Sequence, residues 1–178
     1  MIPEDILKKF LNGNPELLET VTVHSRCVAD KALGCLRLRG IDADLQFVEE
    51  AAMLHDVGVV KCNAPSIFCF GDCPYICHGI EGRKMLEGIG LPRHALVCER
   101  HTGSGLSVDD IIRQDLPLPH RDMLPVTIEE KVICYADKFF SKSGNLTEEK
   151  SIEKVISQMA RHGEDTLNRF LQLHDLFG

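Results

Sequence analysis

Helical periodicity is the feature that most narrows what this chain can fold into. After Asn14-Pro15-Glu16, an N-cap followed by a first-turn proline, the residues Val21, His24, Val28, Ala32 and Cys35 recur along one stripe. Gly40 then ends the run, as a glycine just past a helix commonly does. Asp44 caps a second helix, Leu45 to about His55, with Leu45, Val48, Ala52 and His55 on one face and Gly58 expected to break it. Two helices are predicted at about His78–Glu87 and Pro92–Arg100, and a short one behind the cap-like Ser107-Val108-Asp109-Asp110. Thr127-Ile128-Glu129-Glu130 reads as a capping box opening a helix with Val132, Ile133, Ala136, Asp137 and Phe140, and a last amphipathic helix is predicted over about Glu148–Leu171. The segment Lys61–Cys77 holds two prolines, a glycine and several aromatics, and reads as an irregular loop. Nothing alternates with period two for long, so no sheet is expected. The predicted class is all-α, five to eight helices in a single domain over 1–178. Its core lies at about 21–140, with an N-terminal helix over 3–12 and the C-terminal helix over 148–171 packed on it.

A length of 178 residues suffices for one domain with a real core, and the formal net charge of −7 argues against a nucleic-acid scaffold, which draws on clustered Lys and Arg. Local basic residues leave small anionic substrates open. No stretch approaches the roughly 18–20 apolar residues that span a bilayer, and MIPEDILKKF lacks the pattern of a signal peptide. A cytoplasmic protein without a membrane partner is expected. Its eight cysteines are then expected to be reduced thiols. Cys27, Cys35, Cys98 and Cys134 read as small core hydrophobes. Cys62, Cys69, Cys73 and Cys77 cluster without a CxxC, a weak signal for a second metal site against the plainer reading of loop or core thiols. Exposed apolar faces on the terminal helices would be compatible with a homodimer.

Six residues carry the chemistry: His24, His55, Asp56, His78, His101 and Asp137. Neutral imidazoles and carboxylates are what borderline divalent metals prefer, and a carboxylate on an inward helical face, such as Asp137, is costly unless paired or coordinated. Singly, each has a plain explanation. An inward histidine is more often a hydrogen-bonded core residue than a ligand, and Asp137 has Lys138 and Lys142 nearby on its own helix. A second His-Asp pair, His174-Asp175, reads as a frayed C-terminus, and His94, His120 and His162 read as surface residues.

Order and context change the weighting. Ala51-Ala52-Met53-Leu54-His55-Asp56-Val57-Gly58 closely resembles the signature of the HD superfamily of metal-dependent phosphohydrolases, in its HD-[Ile/Val]-Gly form. Val23-His24-Ser25 resembles that family's first metal-binding histidine, and Cys134-Tyr135-Ala136-Asp137-Lys138 its final aspartate-bearing helix. The likeness runs from about Val21 to Phe140. It implies an HD-domain helical bundle that binds divalent metal through His24, His55, Asp56 and Asp137. His78-Gly79-Ile80-Glu81-Gly82 and Arg100-His101-Thr102-Gly103 resemble the extra histidines of two-metal subfamilies. On that likeness Asp56 bridges, His24, His55 and Asp137 complete one site, and His78 and His101 the other. The alternative keeps one metal and gives His78 and His101 to substrate phosphate or water. Imidazole and carboxylate suit iron, manganese, nickel, cobalt and zinc alike.

The resemblance implies hydrolysis of a small phosphorylated substrate, a nucleotide or another phosphate ester or anhydride, by a metal-activated water. Asp56 or Asp137 is the candidate proton acceptor. Lys61, Arg26, Arg100 and Lys138 are the candidate cations for phosphate, each weighed against a merely solvated charge. Many relatives place a lysine directly after the signature glycine, where this chain has Val59, which puts the role of Lys61 in doubt. His101 is followed by Thr-Gly-Ser-Gly, unlike the HHE…GYP segment of cyclic-di-GMP phosphodiesterases. Two rivals use the same residues: a di-iron oxygenase, and a nucleotide sensor without turnover.

Overall fold

The computed structural model describes residues 1–178. The order is α1 (Pro3–Phe10), α2 (Pro15–Arg39), α3 (Leu45–Leu54), a 3₁₀ turn (Val57–Lys61), β1 (Asn63–Ala64), β2 (Cys69–Phe70), α4 (His78–Glu87), α5 (Pro92–Arg100), α6 (Val108–Arg113), α7 (Ile128–Asp137), α8 (Ile152–Ala160) and α9 (Glu164–Phe177), with two further short 3₁₀ turns around the ribbon. The class is all-α, with nine α-helices where five to eight are predicted.

The caps follow the sequence. Asn14 accepts from the Leu17 amide and Asp44 from that of Phe47, both at 3.0 Å. Gly40 sits at φ 63°, and the Ile41 amide returns to the Leu36 carbonyl at 3.0 Å. Ser107 and Asp110 form a reciprocal capping box. At α7 the box is one-sided: Thr127 takes the Glu130 amide, but Glu130 turns to the Val126 amide and to Arg100.

Two apolar clusters organise the helices. The larger gathers α2, α3, α7, α8 and α9 around Val28, Ala32, Leu36, Val48, Val132, Tyr135 and Phe170. The smaller joins α1, the start of α2, α3, α4 and α5 through Leu7, Leu17, Val21, Met53, Leu86 and Cys98. His24 stands between Val21 of one cluster and Val28 of the other. The ligand-bearing surface is therefore the seam where the two halves of the core meet.

Four expectations are corrected. The predicted last helix is two, α8 and α9, because Gly163 adopts φ 114°, a backbone that side-chain-bearing residues rarely take. The turn lets α9 lie back on α7, so His174 is not frayed; its Nδ1 meets the Tyr135 hydroxyl at 2.9 Å. His94 is buried rather than on the surface, edge-on to Phe47 with ring centroids 4.8 Å apart and 3.5 Å from Glu50. The loop expected to be irregular contains a two-stranded antiparallel ribbon, Asn63 opposite Phe70 and Ala64 opposite Cys69.

All eight cysteines are free, and no three of the loop sulfurs come within 4.8 Å as a ligand set. No helix is long and apolar enough to cross a membrane.

Candidate metal centre

All six predicted ligands converge, drawn from α2, the ends of α3, α5 and α7, and the start of α4. They form two groups that share Asp56: His24, His55, Asp56 and Asp137, and Asp56, His78 and His101. Every member is buried. Oδ2 of Asp56 faces the first group, 3.2 Å from His24 Nε2 and 3.1 Å from His55 Nε2. Oδ1 faces the second, 3.6 Å from His78 Nε2 and 3.4 Å from His101 Nε2. Asp137 Oδ1 closes the first group at 3.0 Å from His24 and 3.4 Å from His55.

Helix ends aim three of the four imidazoles. The last carbonyls of a helix lack an intrahelical partner. His55, at the end of α3, donates Nδ1–H to the Ala52 carbonyl at 2.6 Å, and His101, at the end of α5, to Cys98 at 2.8 Å. His78 does the same with Tyr75 at 2.7 Å, where a 3₁₀ turn runs into α4. A carbonyl only accepts, so each Nδ1 carries a proton and Nε2 is the nitrogen turned inward. His24 lies inside the uninterrupted α2, and its buried Nδ1 has no partner.

This donor set fits a cation on physical grounds. His78 Nε2 and His101 Nε2 lie 3.0 Å apart, lone pair against lone pair, and both face a carboxylate oxygen. Only a proton or a metal ion between them relieves that contact. Burial works against the proton: with the neighbouring His101 charge it pulls the His78 pKa down to about 3, and it lowers that of His101 as well. Both oxygens of Asp56 are buried without a well-directed hydrogen bond.

Burial also opposes charge on His55, but the negative charges of Asp56 and Asp137 outweigh it and push its pKa up to about 9. Burial would raise both aspartates; His55 and Lys142 instead hold Asp56 well below the usual range, and Lys138 and Lys142 do so for Asp137. Asp137 closes α7, where the helix dipole disfavours a carboxylate, so it depends on such cationic neighbours.

The predicted substrate cations disperse. Lys138 is at the centre, 2.6 Å from Asp137 Oδ2 and donating to the His101 carbonyl at 2.9 Å. Arg26 is held by Glu49 at 2.7 Å and Glu4 at 2.8 Å, tying α1 and α3 to α2. Arg100 grips both oxygens of Glu130 at 2.9 Å, joining α5 to α7. Lys61 is exposed at the end of its turn, without a carboxylate partner. Local charge in the sequence does not reveal which cations neighbouring helices have already paired.

Sequence reasoning noted Lys142 only as a possible partner of Asp137 and did not single out Tyr75, yet both border the centre. Lys142 reaches Asp56 Oδ2 at 2.7 Å, and Tyr75 stacks on His78 with centroids 4.8 Å apart. Both line a cavity of about 340 Å³ that includes Ser141, Ser143 and Lys150. The one available signal was Lys142 standing one helical turn beyond Lys138. A smaller cavity of about 200 Å³ lies beside Ser104, Pro125 and Arg169; none of the six ligands lines either cavity, but the larger one holds Tyr75 and Lys142, which touch His78 and Asp56.

No family model matches the chain. It is 27 % identical over 161 residues to an uncharacterised protein of Methanocaldococcus jannaschii, covering 88 % of this chain and 87 % of that one. It is 30 % identical over 136 residues to a tRNA (cytidine(56)-2'-O)-methyltransferase of Picrophilus torridus, covering 76 % of this chain and 35 % of the other. The corresponding enzyme of Thermoplasma volcanium is 27 % identical over 146 residues, 81 % of this chain and 38 % of that protein. The chain thus spans little more than a third of either methyltransferase. Among solved structures, the HD domain of the L. monocytogenes phosphodiesterase PgpH superposes with a TM-score of 0.55 at 17 % identity, covering 97 % of this chain and 94 % of that one. Over nearly its whole length, and with its His55-Asp56 pair at the seam of the core, the chain has the HD-domain fold.

Proposed function

We propose that the protein is a metal-dependent phosphohydrolase acting on a nucleotide or another small phosphate ester or anhydride, in the cytoplasm. The observation that carries this reading is the division of Asp56, whose two oxygens each face a separate set of imidazole nitrogens. His24, His55, Asp56 and Asp137 would hold one divalent ion and Asp56, His78 and His101 a second, with iron, manganese, nickel, cobalt and zinc all compatible. Such ions, when bound, polarise a phosphoryl oxygen and lower the pKa of water.

The chain's own residues supply the rest. Lys138 fixes Asp137 and the backbone at His101, so that the end of α5 and the end of α7 keep their spacing. Lys142 and Lys150 bring positive charge to the wall of the cavity. Held far below the usual range, Asp56 and Asp137 are weak bases, which favours ligation for both and release of the proton to solvent. A nucleotide is favoured further because similar sequence forms part of enzymes named for tRNA modification.

The direct test is purification without chelators, metal content per chain by plasma emission, and phosphate release from an ester panel after reconstitution. Two equivalents of metal with hydrolysis support the two-ion reading, and one equivalent leaves His78 and His101 to substrate. Folded protein that takes up no metal and hydrolyses nothing overturns it.

A pH dependence follows from His55. Its raised pKa means that loading a metal at neutral pH must expel a proton. Cation affinity is therefore expected to rise about tenfold per pH unit up to about 9 and then level off. Protonation of His55 also steadies the metal-free fold: the effect is complete below the ordinary value of 6.5 and is lost as pH rises through about 9. Competition titrations between pH 6 and 10 would check this, and an affinity flat across that range would refute it.

A further inference from the structure

The connection between α7 and α8 carries more positive charge than the centre can neutralise. Lys138 and Lys142 have Asp137 and Asp56 as their only carboxylate partners, and both aspartates belong to the ligand set. Lys150 pairs with no carboxylate; its Nζ donates to the carbonyls of Lys138 and Phe140 at 3.1 and 2.9 Å, at the end of α7. One divalent ion on the two aspartates, together with the three lysines, would leave an excess of three positive charges around partly buried groups. In a poorly solvated site such an excess calls for an anion.

The cavity beside it suits one. Ser66, Tyr75, Ser141, Lys142, Ser143 and Lys150 line it with two cations and three serine hydroxyls, and no acidic residue is in the lining. The Ser141 and Ser143 hydroxyls stand 3.4 Å apart. Tyr75 against His78, and Lys142 against Asp56, set the cavity directly beside the ligand cluster. A lone phosphate brings about two negative charges, which leaves part of the excess unmatched.

Resting on the phosphohydrolase reading, we propose that this cavity is a second anion subsite. It holds the non-reacting phosphate of a substrate with two or more linked phosphates, while the reacting phosphate lies at the histidine–aspartate cluster. Lys150 and Ser143 are its specificity-determining residues, and Lys142 serves both halves.

Calorimetric titration of metal-free and metal-reconstituted protein with inorganic pyrophosphate and with orthophosphate tests this, metal content being rechecked after each run. Reconstituted wild type is expected to bind pyrophosphate at least about tenfold more tightly than orthophosphate, and Lys150→Ala to lose about tenfold or more of the pyrophosphate affinity. Lys150 also satisfies backbone carbonyls just past α7, so Ser143→Asp is the companion variant. It lies on an exposed residue and sets a carboxylate at the cavity, with a loss of at least the same size expected. Equal affinity for the two anions in wild type overturns the subsite, as does pyrophosphate binding unchanged in Ser143→Asp. Protein that hydrolyses monoesters but shows either result keeps the hydrolase reading and loses the subsite. Protein that binds pyrophosphate selectively, weakens in both variants and hydrolyses nothing keeps the subsite and loses the hydrolase.

Discussion

Replacing Asp56 with Asn is expected to abolish metal retention in both ligand groups and to slow phosphate release by about 10³-fold or more, the equivalent of roughly 4 kcal/mol of lost transition-state stabilisation. The substitution keeps the shape of the side chain and removes its charge. Because Asp56 Oδ2 faces His24 and His55 while Oδ1 faces His78 and His101, one change weakens both groups, which no other ligand substitution does. It also strips Lys142 of its 2.7 Å partner and His55 of its main source of raised pKa. The metal-free variant should therefore release less proton on titration with metal than wild type. Plasma emission and phosphate release together decide the matter: a variant that keeps two equivalents of metal and its turnover would remove Asp56 from the centre.

The second large effect concerns stability. Gly58 follows the His-Asp pair by two residues, and a β-carbon there would fall on the His78 carbonyl and the Gly82 amide of α4. These are backbone atoms, which cannot rotate aside. Gly58→Ala is expected to cost about 3 kcal/mol or more, a fall in Tm of roughly 10 °C for a domain of this size. It should also loosen the second ligand group, since α4 carries His78. Gly82→Ala is the milder companion: its new methyl would meet Cys98 Cβ and Sγ at 3.1 and 3.2 Å and the Gly58 amide nitrogen at 3.3 Å, contacts that a shift of a few tenths of an ångström relieves, for about 1 kcal/mol. Equal melting temperatures for wild type and Gly58→Ala would show that α4 can move away without cost.

Gly58 also shows where the sequence is misleading. Read along the chain it is a helix breaker; in three dimensions α3 has already ended at Leu54, and the glycine is there to admit α4. His94 and His174 teach the same lesson. Each has one charged residue beside it, Arg93 and Asp175, yet Phe47 and Tyr135, far away along the chain, bury one and anchor the other. Burial depends on which faces meet, and a single strand of letters does not encode that directly.

By itself the sequence determined the helical class, the caps at Asn14, Asp44, Ser107 and Thr127, and the order of the ligands His24, His55, Asp56, His78, His101 and Asp137. These depend on local propensity and on short spacings, which neighbours along the chain set. Only the tertiary structure decided which charges serve the centre. Arg26 and Arg100 look as available in the sequence as Lys138, but Glu4, Glu49 and Glu130 consume them. Lys142, Lys150, Ser141 and Ser143 look like an ordinary polar loop until the fold sets them with Tyr75 around one cavity and brings Lys142 to Asp56. A charge becomes functional when its nearest partners are set by packing across the chain, because electrostatic energy depends on distance in space and on burial rather than on position in sequence.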